Sequence, residues 1–413
     1  MEKFIYMNSK WKKNVVLFLT TQIISVFGSA LVQYAIMWHI TLETKSGVAM
    51  TISILCGFLP NFILSPFAGV WADRYNRKKL IIFSDSFIAV STLIVAVVFL
   101  LGYEAFWMFY AVMVLRAIGS AVQSPAIGAI LPQMVPEDKL TKVNAVNGSL
   151  HSFVNLISPM VSGALLTLAD IEIIFFIDVV TAAIAVFILL FFLQIPVHAK
   201  AAAKQTVSYF GDMKAGYQYV KGHDYLKRFF IFAAFFMFFA APAAFLTPLQ
   251  VTRTFGEDVW RLTAIEIVFS GGMMLGGLLM ASWAGFKNKF HTMVLSNIII
   301  GIATFALGIV PNFWIYLFFM AVIGLALPMF NTPSMVIIQQ KVEGDYLGRV
   351  FSVMSMLSSV TMPLGMLVFG PLADLIAIEY MLVWTGILMI ILSFFMWRDK
   401  VLLEAGKPIE SES

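Results

Sequence analysis

Cysteine is nearly absent from this chain: one residue in 413, Cys56, set inside an apolar run. An internal disulfide or a CxxC redox or metal motif is therefore excluded. Charge is scarce too, with 12% of residues ionisable by Asp, Glu, Lys and Arg against 60% hydrophobic. That is too little polar surface to coat a soluble globule. The sequence contains no HExxH, no phosphate-binding GxxxxGKS/T and no Cys/His cluster, so neither a metal nor a nucleotide cofactor is expected. The net charge of +4 gathers in loops, as membrane orientation requires, and marks no nucleic-acid surface.

Apolar runs are plentiful. A bilayer-crossing helix needs about 20 apolar residues, and windows of that length fall near 14–40, 49–72, 80–101, 106–130, 143–168 and 171–193, then near 228–251, 261–285, 290–310, 313–337, 346–373 and 378–397. The expected fold is all-α and integral to the membrane: twelve transmembrane helices in two pseudo-symmetric six-helix bundles. The expected domains are a first bundle over 1–193, a linker over 194–227 with an amphipathic helix around Tyr209 to Val220, a second bundle over 228–397 and a tail over 398–413. A shift of 207 residues superposes Gly69 on Gly276, Gln133 on Gln340, Leu140 on Leu347 and Gly163 on Gly370. Duplicated halves of this kind place a binding site between them near mid-membrane. Four lysines precede the first apolar run, which is longer than a signal-peptide core, so a retained first helix is expected. Of the 27 Lys and Arg, 23 fall on the side of the termini, which predicts that both termini are cytoplasmic.

Between the second and third spans stands Gly69-Val-Trp-Ala-Asp73-Arg74-Tyr-Asn-Arg77-Lys78-Lys79. Such a cluster of charges belongs in water at a membrane face. Orientation alone would account for the basic residues but not for Asp73 or Gly69. The pattern Gly-x-x-x-Asp-Arg-x-x-Arg-Lys-Lys resembles the signature loop of the major facilitator superfamily. By that resemblance Asp73 is expected to meet the amino terminus of the eleventh span near Leu347, where a carboxylate gains about 0.3–1 kcal/mol from the helix dipole, as an inner gate latch flanked by Arg74, Arg77 and Lys78. The loop after the eighth span, Gly285 to Lys289, has lost the Asp-Arg pair.

Within the spans, Arg116 falls near the bilayer midplane and needs a partner or a wet cavity. Leu115-Arg116-Ala-Ile-Gly119 resembles the superfamily's fourth-helix motif with a spacing one residue short. Substrate or proton handling and a structural ion pair are its two candidate roles. Three acids are buried in spans: Asp85, Asp178 and Glu266. Buried carboxyls can exchange protons near neutral pH. Glu266 and Asp178 are candidates for proton entry, Asp178 with a packing role as the alternative, while Asp85 is expected to partner basic groups at the end of its helix. Ser158-Pro159-Met-Val-Ser162-Gly163 is similar to the superfamily's antiporter signature with serines replacing glycines, and small residues there also suit close helix packing. Gln22, Ser25, Ser29 and Gln33 recur every three or four residues and form one polar stripe on the first span. His39 is expected at the membrane interface.

Over nearly its whole length the chain is similar to the macrolide-efflux-like branch of twelve-span drug/proton antiporters. The resemblance implies export of bulky apolar compounds by proton antiport with alternating access, and no enzymatic activity. Its expected partners are a small-molecule substrate, protons and the lipid bilayer, with the protein acting as a monomer in a bacterial cell membrane. A carrier of the same fold for lipids, siderophores or metabolites, and a non-transporting receptor or scaffold, are the alternatives.

Overall fold

The computed structural model describes residues 2–193 and 209–407, and every regular element among them is an α-helix. The first six are α1 (Glu2–Thr44), α2 (Gly47–Arg74), α3 (Arg77–Leu100), α4 (Phe106–Met134), α5 (Glu137–Leu168) and α6 (Ile171–Phe191). From residue 209 onward come α7 (Tyr209–Gly222), α8 (Asp224–Phe245), α9 (Thr247–Thr254), α10 (Val259–Trp283), α11 (Lys289–Leu307), α12 (Phe313–Lys341), α13 (Gly344–Leu372), α14 (Ile378–Arg398) and α15 (Lys400–Ala405). Among the described residues, twelve spans are long and apolar enough to cross a membrane, Asp224–Thr254 counting as one. The linker helix expected around Tyr209 is α7, and residues 194–208 lie outside the described residues.

One expected span is not a single helix. The run over 228–251 breaks at Leu246, where α8 ends and α9 begins with Pro248 in its first turn. Proline lacks an N–H and its ring crowds the carbonyl four residues back, so it ends one helix yet fits the first turn of the next. Leu246 N–H still donates to the Pro242 carbonyl and Gln250 N–H to the Leu246 carbonyl, each at 2.8 Å, so the break leaves those groups satisfied as an apolar surrounding demands.

The chain divides into two compact units: Met1–His39 with Ile52–Gln205, and Ile40–Thr51 with Thr206–Ser413. In the first, α3 packs along α4 and α6, and Phe18, Ile81, Ile130 and Leu189 from four helices are fully buried together at one end. In the second, α10 packs on α12, and α11 on α12 and α14, while α13 lies against α7 and α8. The short α15 is pinned by buried Leu402 and by Asp399, which caps it and pairs with Arg228 at 2.8 Å.

The α10–α12 seam depends on glycine. A Cβ added at Gly276 would stand 2.2 Å from the Leu325 carbonyl oxygen, one at Gly272 2.3 Å from that of Ala321, and one at Gly324 2.2 Å from that of Phe269. Small residues at four-residue spacing allow such backbone approach between membrane helices. Gly69, the repeat counterpart of Gly276, is different: its Cβ would meet nothing within 4 Å among the described residues.

Candidate functional site

The polar stripe of α1 finds its partners inside the first unit, in two levels. At one level Arg116 on α4, 7% exposed, forms an ion pair through Nη1 with Asp178 of α6, which is 1% exposed. The same guanidinium donates to Thr92 Oγ1 on α3 at 2.6 Å and to the Ser29 carbonyl on α1 at 3.1 Å. Ser29 Oγ donates to the second Asp178 oxygen at 3.4 Å. Four helices thus converge on one buried ion pair whose geometry is over-determined. Such a pair stabilises little compared with an apolar substitute, but removing one member strands the other charge at a cost of about 3–5 kcal/mol.

The second level lies one or two helical turns away. Asp85 of α3, 2% exposed, accepts at Oδ1 from Ser25 Oγ at 2.8 Å and from Gln123 Nε2 at 2.6 Å. Its Oδ2 has no hydrogen-bond partner among the described residues. This corrects the expectation that Asp85 serves basic groups at its helix end. It is the ninth residue of α3, about 12 Å along the axis, and turns inward to two neutral donors. Asp178 is held to a cation, whereas Asp85 is a carboxyl with no cation bonded to it among the described residues, the type of group whose charge can change without exposing a buried counter-ion.

A cavity of about 270 Å³ lies against both levels, bordered by Ser25, Ser29, Gln33, Asn61, Arg116 and Gln123. Drug-sized pockets enclose about 300–1,000 Å³, so this space admits water, protons or part of a bulky solute. Gln33 borders it, but Gln22 does not: it is 2% exposed and both its amide atoms lack partners among the described residues. Asp85, Thr92, Asn61 and Gln123 were not named as site residues from sequence. A signal was present, since Asp85 and Thr92, like Arg116 and Gln123, are seven residues apart and so share a helix face.

The other sequence candidates fall elsewhere. Glu266, the eighth residue of α10, is half-buried with no ion-pair partner among the described residues. Ser162 on α5 donates to the Leu31 carbonyl of α1 at 3.0 Å, while Ser158 is buried with its hydroxyl unpartnered among the described residues. Pro159 lies within α5, and Gly163 is buried and its carbonyl accepts from Thr167 Oγ1 at 2.8 Å. This segment therefore packs α5 on α1. His39 stacks on Phe106 and lies tilted against Phe109. In the basic loop, Arg77 donates to the carbonyls of Ala72 at 2.9 Å and Ala129 at 2.7 Å, and Lys78 donates to that of Leu193 at 2.8 Å. Lys78 also donates to the Leu190 carbonyl at 3.3 Å, in the last turn of α6, an acceptor the helix end leaves open. Arg74 is exposed, and the Asp73 side chain lies outside the described residues.

A second polar cluster sits in the other unit, around Asp374 just beyond α13. Its carboxylate accepts from Gly47 N–H at 2.7 Å, Val48 N–H at 3.0 Å, Ser46 Oγ at 2.7 Å and Arg253 Nη2 at 2.8 Å. Arg253 also donates to the Lys45 carbonyl, where a left-handed backbone (φ 47°) turns α1 into α2. Asp374 thus caps the amino terminus of α2, satisfying free N–H groups beside the positive end of its dipole. Burial pushes the carboxyl up, but the hydrogen bonds from Val48, Gly47, Ser46 and Arg253 outweigh it and hold Asp374 below the usual carboxylate range. A lowered value means that the stabilisation is fully present above about pH 4 and is lost as pH falls through the folded-state value. Asp374→Ala should lower stability at pH 7 by about 1–2 kcal/mol, the usual loss of a helix cap. Unfolding curves of the variant and the parent should then converge on acidification, and a gap that persists at low pH would rule out the cap.

The family of transmembrane secretion effectors matches residues 12–411. Macrolide efflux protein A of Streptococcus pyogenes is 30% identical over 392 residues, 94% of this chain and 96% of that protein. The staphyloferrin A transporter of Staphylococcus aureus is 27% identical over 374 residues, 87% of this chain and 90% of that one. Among solved structures, a bacterial homologue of the human lysosomal transporter Spinster superposes with a TM-score of 0.70 at 15% identity, covering 97% of this chain and 99% of that one. With a family match across almost the full length, twelve apolar spans and the shared architecture, the chain belongs to the transmembrane secretion effectors of the major facilitator superfamily and is a multi-pass membrane transporter.

Proposed function

We propose that this transporter exports bulky, mostly apolar compounds, macrolide-type antibiotics among them, in exchange for protons and by alternating access. The likeness to macrolide efflux protein A over nearly the whole of both chains carries the choice of substrate class. The buried Asp85 carboxyl, held by Ser25 and Gln123 beside a polar cavity, supports the choice of coupling ion. In this reading a proton arriving at Asp85 neutralises it, and its release on the other side restores a charge that favours the return conformation. Arg116 and Asp178 hold α1, α3, α4 and α6 in register around that step. Glu266 is a second proton candidate, Asp73 with Gly69, Arg74, Arg77 and Lys78 forms the inner gate, and both termini face the cytoplasm of a bacterial cell. The protein works as a monomer.

Expression in a host stripped of its own efflux systems should raise the tolerated macrolide concentration at least fourfold. Vesicles containing the purified protein should take up labelled macrolide only while a proton gradient is imposed. Absence of both effects would reject the reading. A second reading, a siderophore carrier, draws on the staphyloferrin A transporter; gradient-dependent movement of a carboxylate siderophore with no macrolide flux would select it.

A further inference from the structure

An apolar hollow in the second unit has no part in the proposed exchange. It is a groove of about 680 Å³ between α7, α8 and α13, floored by Phe230, Ile231 and Ala234 of α8 and by Val353, Met356 and Val360 of α13. Positions 227, 230, 231 and 234 follow the spacing of one helix face, as do 353, 356, 357 and 360, and each strip runs about 10 Å along its helix. Three lysines border the groove: Lys214 and Lys221 on α7 and Lys227 in the first turn of α8. All three are exposed, and none forms an ion pair among the described residues. The neighbouring cation is different, since Arg228 is committed to Asp399.

An apolar trough opening beneath three ammonium groups, none of them ion-paired among the described residues, is complementary to one chemistry, an acyl chain ending in an anion. Lysines at the end of a membrane helix attract anionic headgroups, and the trough gives the chain a protein wall in place of neighbouring lipid. We infer that this groove binds one anionic phospholipid, its phosphate held by Lys214, Lys221 and Lys227 and the start of one acyl chain lying against Ile231 and Met356. The lipid would tie α7 to α8 and α13. The site is independent of what the protein exports.

The test uses the full chain in neutral detergent, titrated with dioleoyl phosphatidylglycerol or dioleoyl phosphatidylcholine and read by native mass spectrometry. The first phosphatidylglycerol should bind at least tenfold more tightly than phosphatidylcholine. Changing Lys214, Lys221 and Lys227 together to Gln should bring the two lipids within twofold, without loss of thermal stability in detergent alone. Ile231→Trp, which fills the trough while keeping the lysines, should weaken the first phosphatidylglycerol at least fivefold. A parent protein indifferent to the headgroup, or a preference surviving both variants, overturns the proposal. So does displacement of the bound lipid by a macrolide, which would make the groove part of the export path, or by a synthetic peptide of residues 194–208, which would make it a seat for the linker.

Discussion

Arg116→Ala is expected to abolish transport and to lower stability by about 3–5 kcal/mol, because it leaves the Asp178 carboxylate buried with no cation beside it. Asp178 is 1% exposed, and its remaining partner would be the Ser29 hydroxyl at 3.4 Å. Arg116→Lys should recover only part of the loss. A single ammonium cannot reproduce the fork whose Nη1 reaches Asp178 and Thr92 while Nη2 reaches the Ser29 carbonyl. The double variant Arg116→Gln with Asp178→Asn removes both charges and should return most of the stability, giving a coupling of at least about 2 kcal/mol in a double-mutant cycle. Chemical unfolding in detergent of the parent, Arg116→Gln, Asp178→Asn and the double variant closes the cycle. Additive single effects would show that the two side chains act separately and would remove the pair from the account of how the four helices are held.

The second large effect is expected at Asp85. Asn at this position can still accept from Ser25 and Gln123 with its carbonyl oxygen, so insertion and unfolding behaviour should change little. What it cannot do is carry a proton. Asp85→Asn should therefore reduce gradient-driven drug accumulation in vesicles more than tenfold, while solute-for-solute exchange, which needs no net proton movement, stays within about threefold of the parent. Comparing the two assays separates loss of coupling from loss of binding. If Asp85→Asn still concentrates drug against a gradient and Glu266→Gln does not, proton carriage belongs to Glu266.

The twelve spans were readable because each needs about 20 apolar residues in a row, a signal that survives with no knowledge of partners. The break at Leu246 was less visible, since Pro242 and Pro248 both stand in an apolar run and proline is common in membrane helices; which one ends the helix depends on how neighbouring carbonyls are satisfied. Arg116 announced itself as a buried charge, but its choice of Asp178 is fixed by α3, α4 and α6 packing together, which periodicity on one helix does not reveal. Asp85 shows the limit most clearly. Its position near a basic loop suggested an ion pair, whereas the face it shares with Thr92 directs it to Ser25 and Gln123. The basic loop gave the family resemblance from residue types alone. The carbonyls that Arg77 and Lys78 reach on other helices could be found only in the fold.

At the seam of α10 and α12, backbone meets backbone at Gly272, Gly276 and Gly324 with no room for a methyl group. Two helices interlocked this tightly have no side chains between them to slide or repack, so they must travel as one stiff strut. Whatever displacement carries Glu266 during a transport cycle has to carry α12 with it, and any bending must be absorbed where α12 holds Pro328 and Pro333, or at the Leu246 break, away from that joint.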